Sequence, residues 1–236
     1  SVLTIPLQTI LPDAPREGIV INLAELRLYY YPPGKNEVTV YPIGIGQLGG
    51  DTLTPTMVTT VSDKRANPTW TPTANIRARY KAQGIDLPVV VPAGPDNPMG
   101  HHAIRLAAYG GVYLLHGTNA DFGIGMRVSS GCIRLRDDDI KTLFNVVTPG
   151  TRVNIINTPI KISEKPGGVR LVEIHQPLSK NIGDDPQTLP INLNAAMVSF
   201  KTNTSTDGVV MERAMEARSG MPTDVTRHHN VASQAM

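Results

Sequence analysis

Leu114 to Leu135 reads LLHGTNADFGIGMRVSSGCIRL, and the order of its textures decides how the rest of the chain is read. Val112, Leu114 and His116 alternate along a short apolar run, so a strand places them on one face and leaves His116 at the rim where a loop begins. The loop contains Gly123 and Gly125, and Gly131 stands directly before Cys132, so the backbone is free to turn back and bring a thiol beside the imidazole. A thiol with an ordinary pKa of about 8.5 is only a few per cent ionised at neutral pH, so a nucleophilic cysteine needs such a base. On this reading Cys132 is the nucleophile and His116 its base. The backbone N–H groups of Ser130, Gly131 and Cys132 are the candidates for an oxyanion hole, because Gly131 keeps a side chain out of the approach. Arg134 either favours the thiolate or holds a substrate carboxylate, and residue types alone leave both roles open.

Working outward, Gly18 to Gly46 contains two strand-like runs, GIVINLAELRLYYYP and EVTVYPIGIG, joined by Pro-Gly-Lys-Asn turn chemistry, which predicts a β-hairpin start. Gly49 to Tyr80 holds one alternating strand around Met57 to Val61 and then a stretch rich in Pro and Asn. PVVVPAGPDNPMG further on is again loop-like. Two long irregular excursions in a compact domain point to segments that bind or cover a site. His102 to Leu106 and Gly111 to His116 are the next strands. Behind the cysteine, Asp137 is placed to cap a helix whose apolar residues Ile140, Leu143, Phe144 and Val147 recur at helical spacing, with Pro149-Gly150 ending it. TRVNIIN, Thr151 to Asn157, closes the region as a strand. The compact domain is therefore expected at residues 17–160. Residues 161–236 form a C-terminal extension, with KPGG, GDDPQTLP and KTNTSTDG along it and an amphipathic helix at Val209 to Arg218. The extension is expected to be partly packed and partly disordered, above all in HHNVASQAM.

Bulk properties narrow the function. Hydrophobic residues make up 40% of the 236 and charged residues 18%, enough for one sizeable core. Twenty prolines and twenty-one glycines favour a mainly β fold of short strands. The net charge is only +2 and there is no basic run, so nucleic acid is a poor partner. No stretch approaches the roughly 20 apolar residues that span a bilayer, and Ser1 to Ile10 lack the texture of a signal peptide. The single cysteine excludes an intramolecular disulfide. Asp137, Asp138 and Asp139 diverge around a helix start and read as cap and dipole charges, not as metal ligands. No cofactor or metal is expected.

His116-Gly117-Thr118 followed by Ser129-Ser130-Gly131-Cys132-Ile133-Arg134 resembles the motif of the L,D-transpeptidase catalytic domain, the YkuD type. GIVINLAELRLYYY and TPTMVTTVSDKRANPTW look like the ErfK/YbiS group of enterobacterial periplasmic enzymes. The resemblance implies a β-sandwich of mixed strands with a short helix after the cysteine. It also implies a cysteine acyltransferase of cell-wall biogenesis and cell shape. In this reaction the thiol forms a thioester with the diaminopimelate of a peptidoglycan tetrapeptide stem, D-Ala leaves, and the stem is transferred to the C-terminal lysine of the murein (Braun) lipoprotein. Other members of the family join two stems. The resemblance further implies a periplasmic location, with any export signal absent from this chain, and carbapenem-type β-lactams as inhibitors. Residues 1–16 would be the remnant of a LysM module and its linker. Carried onto this sequence, the Gly117 carbonyl orients the imidazole, and Ser129 and Arg134 fill the remaining motif positions. Many relatives have histidine where Ser130 stands, so that side chain is expected to be dispensable.

His101 and His102 are adjacent on a strand start and face opposite ways, so at most one, taken as His102, meets substrate. Trp70 and Tyr80 are candidates to cover the site. The rivals to transfer are hydrolysis, as an L,D-carboxypeptidase or an enzyme that releases the lipoprotein, and a binding module that has kept only the scaffold. A papain-like peptidase is disfavoured because there the cysteine precedes the histidine.

Overall fold

The structure, a computed structural model, describes residues 10–46, 54–120, 124–125, 127–129, 132–181 and 183–228. It divides into two compact units, one of Arg16–Ile156 and one built mainly on the residues from Asn157 onward.

The first unit is a curled mixed sheet of β1 (Gly18–Asn22), β2 (Arg27–Tyr31), β3 (Thr39–Gly46), β4 (Met57–Ala66), β5 (His102–Leu106), β6 (Leu114–His116), β7 (Arg127–Ser129), β8 (Ile133–Leu135) and β9 (Arg152–Ile156), with two helices, α1 (Ala74–Ala82) and α2 (Asp137–Val146). The strand order is β2-β1-β9-β4-β5-β6-β8-β3-β7, and β3 pairs with β2 as well, so the sheet returns on itself. The pairs β1–β9, β6–β8 and β3–β7 are parallel.

The run GIVINLAELRLYYYP, expected as one strand, is two antiparallel strands. Leu23–Glu25 make one tight turn that ends at Leu26 with φ 54°. Asn22 and Tyr29 fix the turn by donating to the buried Glu25 carboxylate at 2.5 and 2.6 Å. Gly18 is required where β1 meets β9: its φ is +60°, and a Cβ there would lie 2.4 Å from the Arg152 carbonyl oxygen.

The helix after the cysteine forms as its spacing predicts, burying Ile140 and Leu143 completely. Its N-cap, however, is Arg136, which makes no side-chain capping bond. Asp137 is the first helical residue, and its carboxylate turns outward to the His101 backbone N–H at 3.1 Å and to the His101 ring. The stretch before Tyr80, read as irregular, holds α1. Thr73 Oγ1 caps it by accepting the Ile76 N–H, but it buries no residue and so leaves no apolar periodicity to read.

In the second unit, β10 (Ile160–Glu164), β11 (Arg170–Ile174) and β12 (Thr223–Asp224) form an antiparallel sheet. It is accompanied by α3 (Ala195–Thr202) and α4 (Gly208–Ala217). The helix expected at Val209 to Arg218 is α4, capped by Asp207, whose carboxylate accepts from the Val209 and Val210 N–H groups. Ile160, Val172, Ile174, Met197, Phe200, Met211 and Val225 make a core of their own, where the texture from Lys161 onward had suggested an extension partly packed and partly disordered. A buried ion pair, Lys161–Glu173 at 2.9 Å, lies in the same unit. Of the expected LysM remnant, residues 1–9 lie outside the described residues, as do residues 229–236 of the polar tail. Among the described residues no helix is long and apolar enough to cross a membrane.

Candidate active site

β6 and β8 run parallel, with Leu115 opposite Ile133 and His116 opposite Arg134. Leu115 and Ile133 are buried in the core. Strand alternation therefore turns Leu114, His116, Cys132 and Arg134 to the other face, where all four line one cavity of about 720 Å³. Ala103 and Arg105 of β5 continue that floor, Asp63 and Arg65 come from β4, and Trp70, Arg79 and Tyr80 stand on the opposite wall. The volume suits an extended peptide substrate of several residues.

His116 is 6% exposed. Its Nδ1 lies 2.6 Å from the Gly117 carbonyl oxygen. A carbonyl only accepts, so Nδ1 carries the hydrogen and Nε2 keeps the lone pair of a base. Gly117 is held in turn by its N–H to the His102 carbonyl at 3.1 Å. A Cβ here would fall 2.3 Å from Asp137 Oδ1 and displace that carboxylate from its bonds to His101. The base is thus braced through Gly117 against the first turn of α2. Burial lowers the imidazole pKa to about 4. The Gly117 carbonyl opposes that shift, and the neighbouring Arg134 charge adds to it.

Cys132 is half-buried, and its Sγ donates to the Val112 carbonyl at 3.7 Å. Burial raises its pKa, partly offset by the Leu114 backbone. Burial thus favours the neutral form of each group: it raises the thiol pKa and lowers that of the imidazole. Arg134 has a buried Nε with no hydrogen-bond partner. Among the described residues it joins Arg65, Arg79 and Arg105 in setting four guanidiniums around the cavity against the single carboxylate of Asp63, a field that attracts anionic substrates.

The other expected residues are placed as follows. Ser129 ends β7 opposite Gly46. Ser130 and Gly131 lie outside the described residues. His102 is corrected: Ala103 and Arg105 face the cavity, so alternation turns the His102 ring the other way, onto Phe144 at 4.8 Å. Trp70 and Tyr80 do line the cavity, edge to face with centroids 6.5 Å apart. Sequence reasoning missed Asp63, Arg65, Arg79 and Arg105. It also missed the fully buried Asn97, whose side-chain amide donates to the Pro68 and Pro92 carbonyls at 2.9 and 3.2 Å and whose Oδ1 accepts the Met99 N–H. Period-two alternation in β5 was the signal that could have found Arg105. Nothing in the sequence marks Asn97.

Residues 16–155 match the L,D-transpeptidase catalytic domain, YkuD, and residues 159–225 the L,D-transpeptidase C-terminal domain. The relative described as "Probable L,D-transpeptidase YcfS" of Escherichia coli K12 is 85% identical over 97% of this chain and 71% of its own length. "Probable L,D-transpeptidase YbiS" of the same strain is 53% identical over 94% of this chain and 72% of its own. "Probable L,D-transpeptidase ErfK/SrfK" is 51% identical over 96% and 72%. With its catalytic and C-terminal domains both matched, the chain belongs to the L,D-transpeptidase family of acyl-transferring enzymes.

Proposed function

We propose that the enzyme acylates Cys132 with the diaminopimelate of a peptidoglycan tetrapeptide stem and passes the acyl group to the C-terminal lysine of the murein lipoprotein, in the periplasm. The observation that carries this reading is a buried histidine whose Nδ1 is fixed by the Gly117 carbonyl, facing the same cavity as the single cysteine. His116 Nε2 takes the thiol proton as Sγ attacks the amide carbonyl. The oxyanion is assigned to the backbone N–H groups of Ser130, Gly131 and Cys132. The imidazolium then gives its proton to the departing D-Ala amine, leaving a thioester. The lysine amine attacks the thioester, His116 takes the amine's proton, and the thiol re-forms. Arg134, Arg65 and Arg79 hold substrate carboxylates, with Ser129 beside them by motif position. A carbapenem-type β-lactam acylates the same sulfur. No metal or cofactor is needed for these steps.

The test is mass spectrometry after incubation with a disaccharide tetrapeptide and a peptide ending in lysine, comparing wild type with Cys132→Ala. Release of D-Ala with stem joined to lysine, by wild type alone, is expected. Stem joined to stem would make the enzyme a 3-3 cross-linker. Tripeptide alone would make it an L,D-carboxypeptidase, and separation of a preformed lipoprotein linkage a releasing hydrolase.

A further inference from the structure

Asp63, the one carboxylate that lines the cavity among the described residues, is ion-paired. Register sets Asp63 opposite Arg105, with a bulge between Val61 and Asp63, and both residues turn to the cavity. Arg105 Nε lies 3.2 Å from Asp63 Oδ1, while its Nη1 donates to the Gly111 carbonyl at 3.1 Å. One guanidinium therefore hydrogen-bonds the turn between β5 and β6 and pairs by charge, without a hydrogen bond, with Asp63 Oδ1 on β4. That turn is tight: Tyr109, Gly110 and Gly111 have φ of 51°, 69° and 78°. A Cβ on Gly111 would meet Arg105 Cδ at 3.0 Å, so the side chain lies flat against the backbone it grips. The next carbonyl along is that of Val112, the acceptor of the Cys132 thiol.

We propose that Asp63 and Arg105 are positioning residues for the nucleophile: by clasping the turn at Gly111 they fix the Val112 carbonyl, which holds the resting Cys132 thiol aimed in one direction. The proposal rests on Cys132 being the residue that is acylated. Both members of the ion pair are partly exposed, so its worth lies in geometry more than in Coulomb energy. An acceptor facing a thiol favours S–H over S⁻, so loosening the clasp eases ionisation. The Arg105 charge acts the opposite way, and an informative variant must keep it. The other charged or titratable groups around the cavity are His116, Arg134, Asp63, Arg65, Arg79 and Tyr80. Arg105→Lys and Gly111→Ala alter the charge of none of them: the first removes the two-pronged grip, the second pushes it away.

The experiment is the pH dependence of iodoacetamide alkylation of Cys132 without substrate, read by intact mass, alongside kcat and KM for the tetrapeptide donor. Both variants are expected to lower the alkylation midpoint by about half a pH unit or more, and to cut kcat about tenfold with KM within about twofold. A midpoint unchanged or raised in either variant, with the wild-type circular dichroism spectrum retained, overturns the proposal. So does a rise in KM alone, which would make Arg105 a substrate contact. If one variant fails to fold, the other decides. Because Cys132 is the sole cysteine, alkylation reads it whether or not it is the nucleophile. A Cys132→Ser enzyme that still transfers stems would defeat the proposed reaction and leave the alkylation result standing.

Discussion

The two sides of the cavity are held by different means. On the floor, His116 sits in a strand hydrogen-bonded on both edges, with Leu115 and Ile133 beside it buried in the core. On the opposite wall, α1 buries nothing and is placed by a threonine cap and by the edge contact of Tyr80 with Trp70. On the proposed reaction, the bond-making groups are fixed from behind by packed strands, while the groups that would meet the rest of the substrate hang on local contacts that open at lower cost.

The largest expected effect lies on the floor. His116→Ala and Cys132→Ala should each lower kcat/KM for stem transfer by about a thousandfold or more. A drop as large from Tyr80→Ala would erase the contrast between the sides.

Acid should weaken the floor next. The His116 pKa in the folded protein is about 4, below the roughly 6.5 of an unfolded chain. Between these values the unfolded chain binds the extra proton. The burial of neutral His116 is therefore free of penalty above the unfolded value, and stability is lost as pH falls toward the folded one, by about 3 kcal/mol. Urea unfolding at neutral pH and near pH 4 should show that loss in wild type and a smaller one in His116→Gln; equal losses would mean that the histidine is not the source.

Gly117→Ala sharpens the comparison without removing a functional group. The clash with Asp137 Oδ1 should cost about 2 kcal/mol and lower kcat, seen as a fall in melting temperature together with slower transfer. The smallest effect belongs to the wall: Tyr80→Ala should raise the donor KM by about three- to tenfold, leave kcat within about twofold and change stability by less than about 1 kcal/mol. A change in kcat with KM preserved would move Tyr80 into the chemistry.

The same contrast governs what could be read from sequence. The floor repeats at short periods: LLH, IRL and the run Ile140, Leu143, Val147 carry alternation or helical spacing, so β6, β8 and α2 were legible, and with them the facing of His116. His102 was misplaced because one residue's shift along β5 reverses its face. The wall has no period. α1 shows little contrast between its faces and buries no residue, and Asn97 works through backbone carbonyls whose proximity only the fold creates. Asp137 looked like a cap because its position at a helix start fits one; its partner His101 lies 36 residues away. The second unit was obscure for a related reason: its core draws one or two residues each from β10, β11, α3 and α4, with Val225 beyond β12, so each local window carries only a fragment of the pattern.

Asn97 also bears on how this site can be altered. With one amide gripping the carbonyls of Pro68 and Pro92, and Trp70 exchanging backbone bonds with Val91 at 2.9 and 2.7 Å, the stretches on either side of α1 form a single stapled rim. For engineering, that rim is one exchangeable module: grafting a different mouth means carrying residues from Pro68 to Met99 as a block. Insertions belong in the exposed segment from Ile85 to Val89, ahead of the staple at Val91.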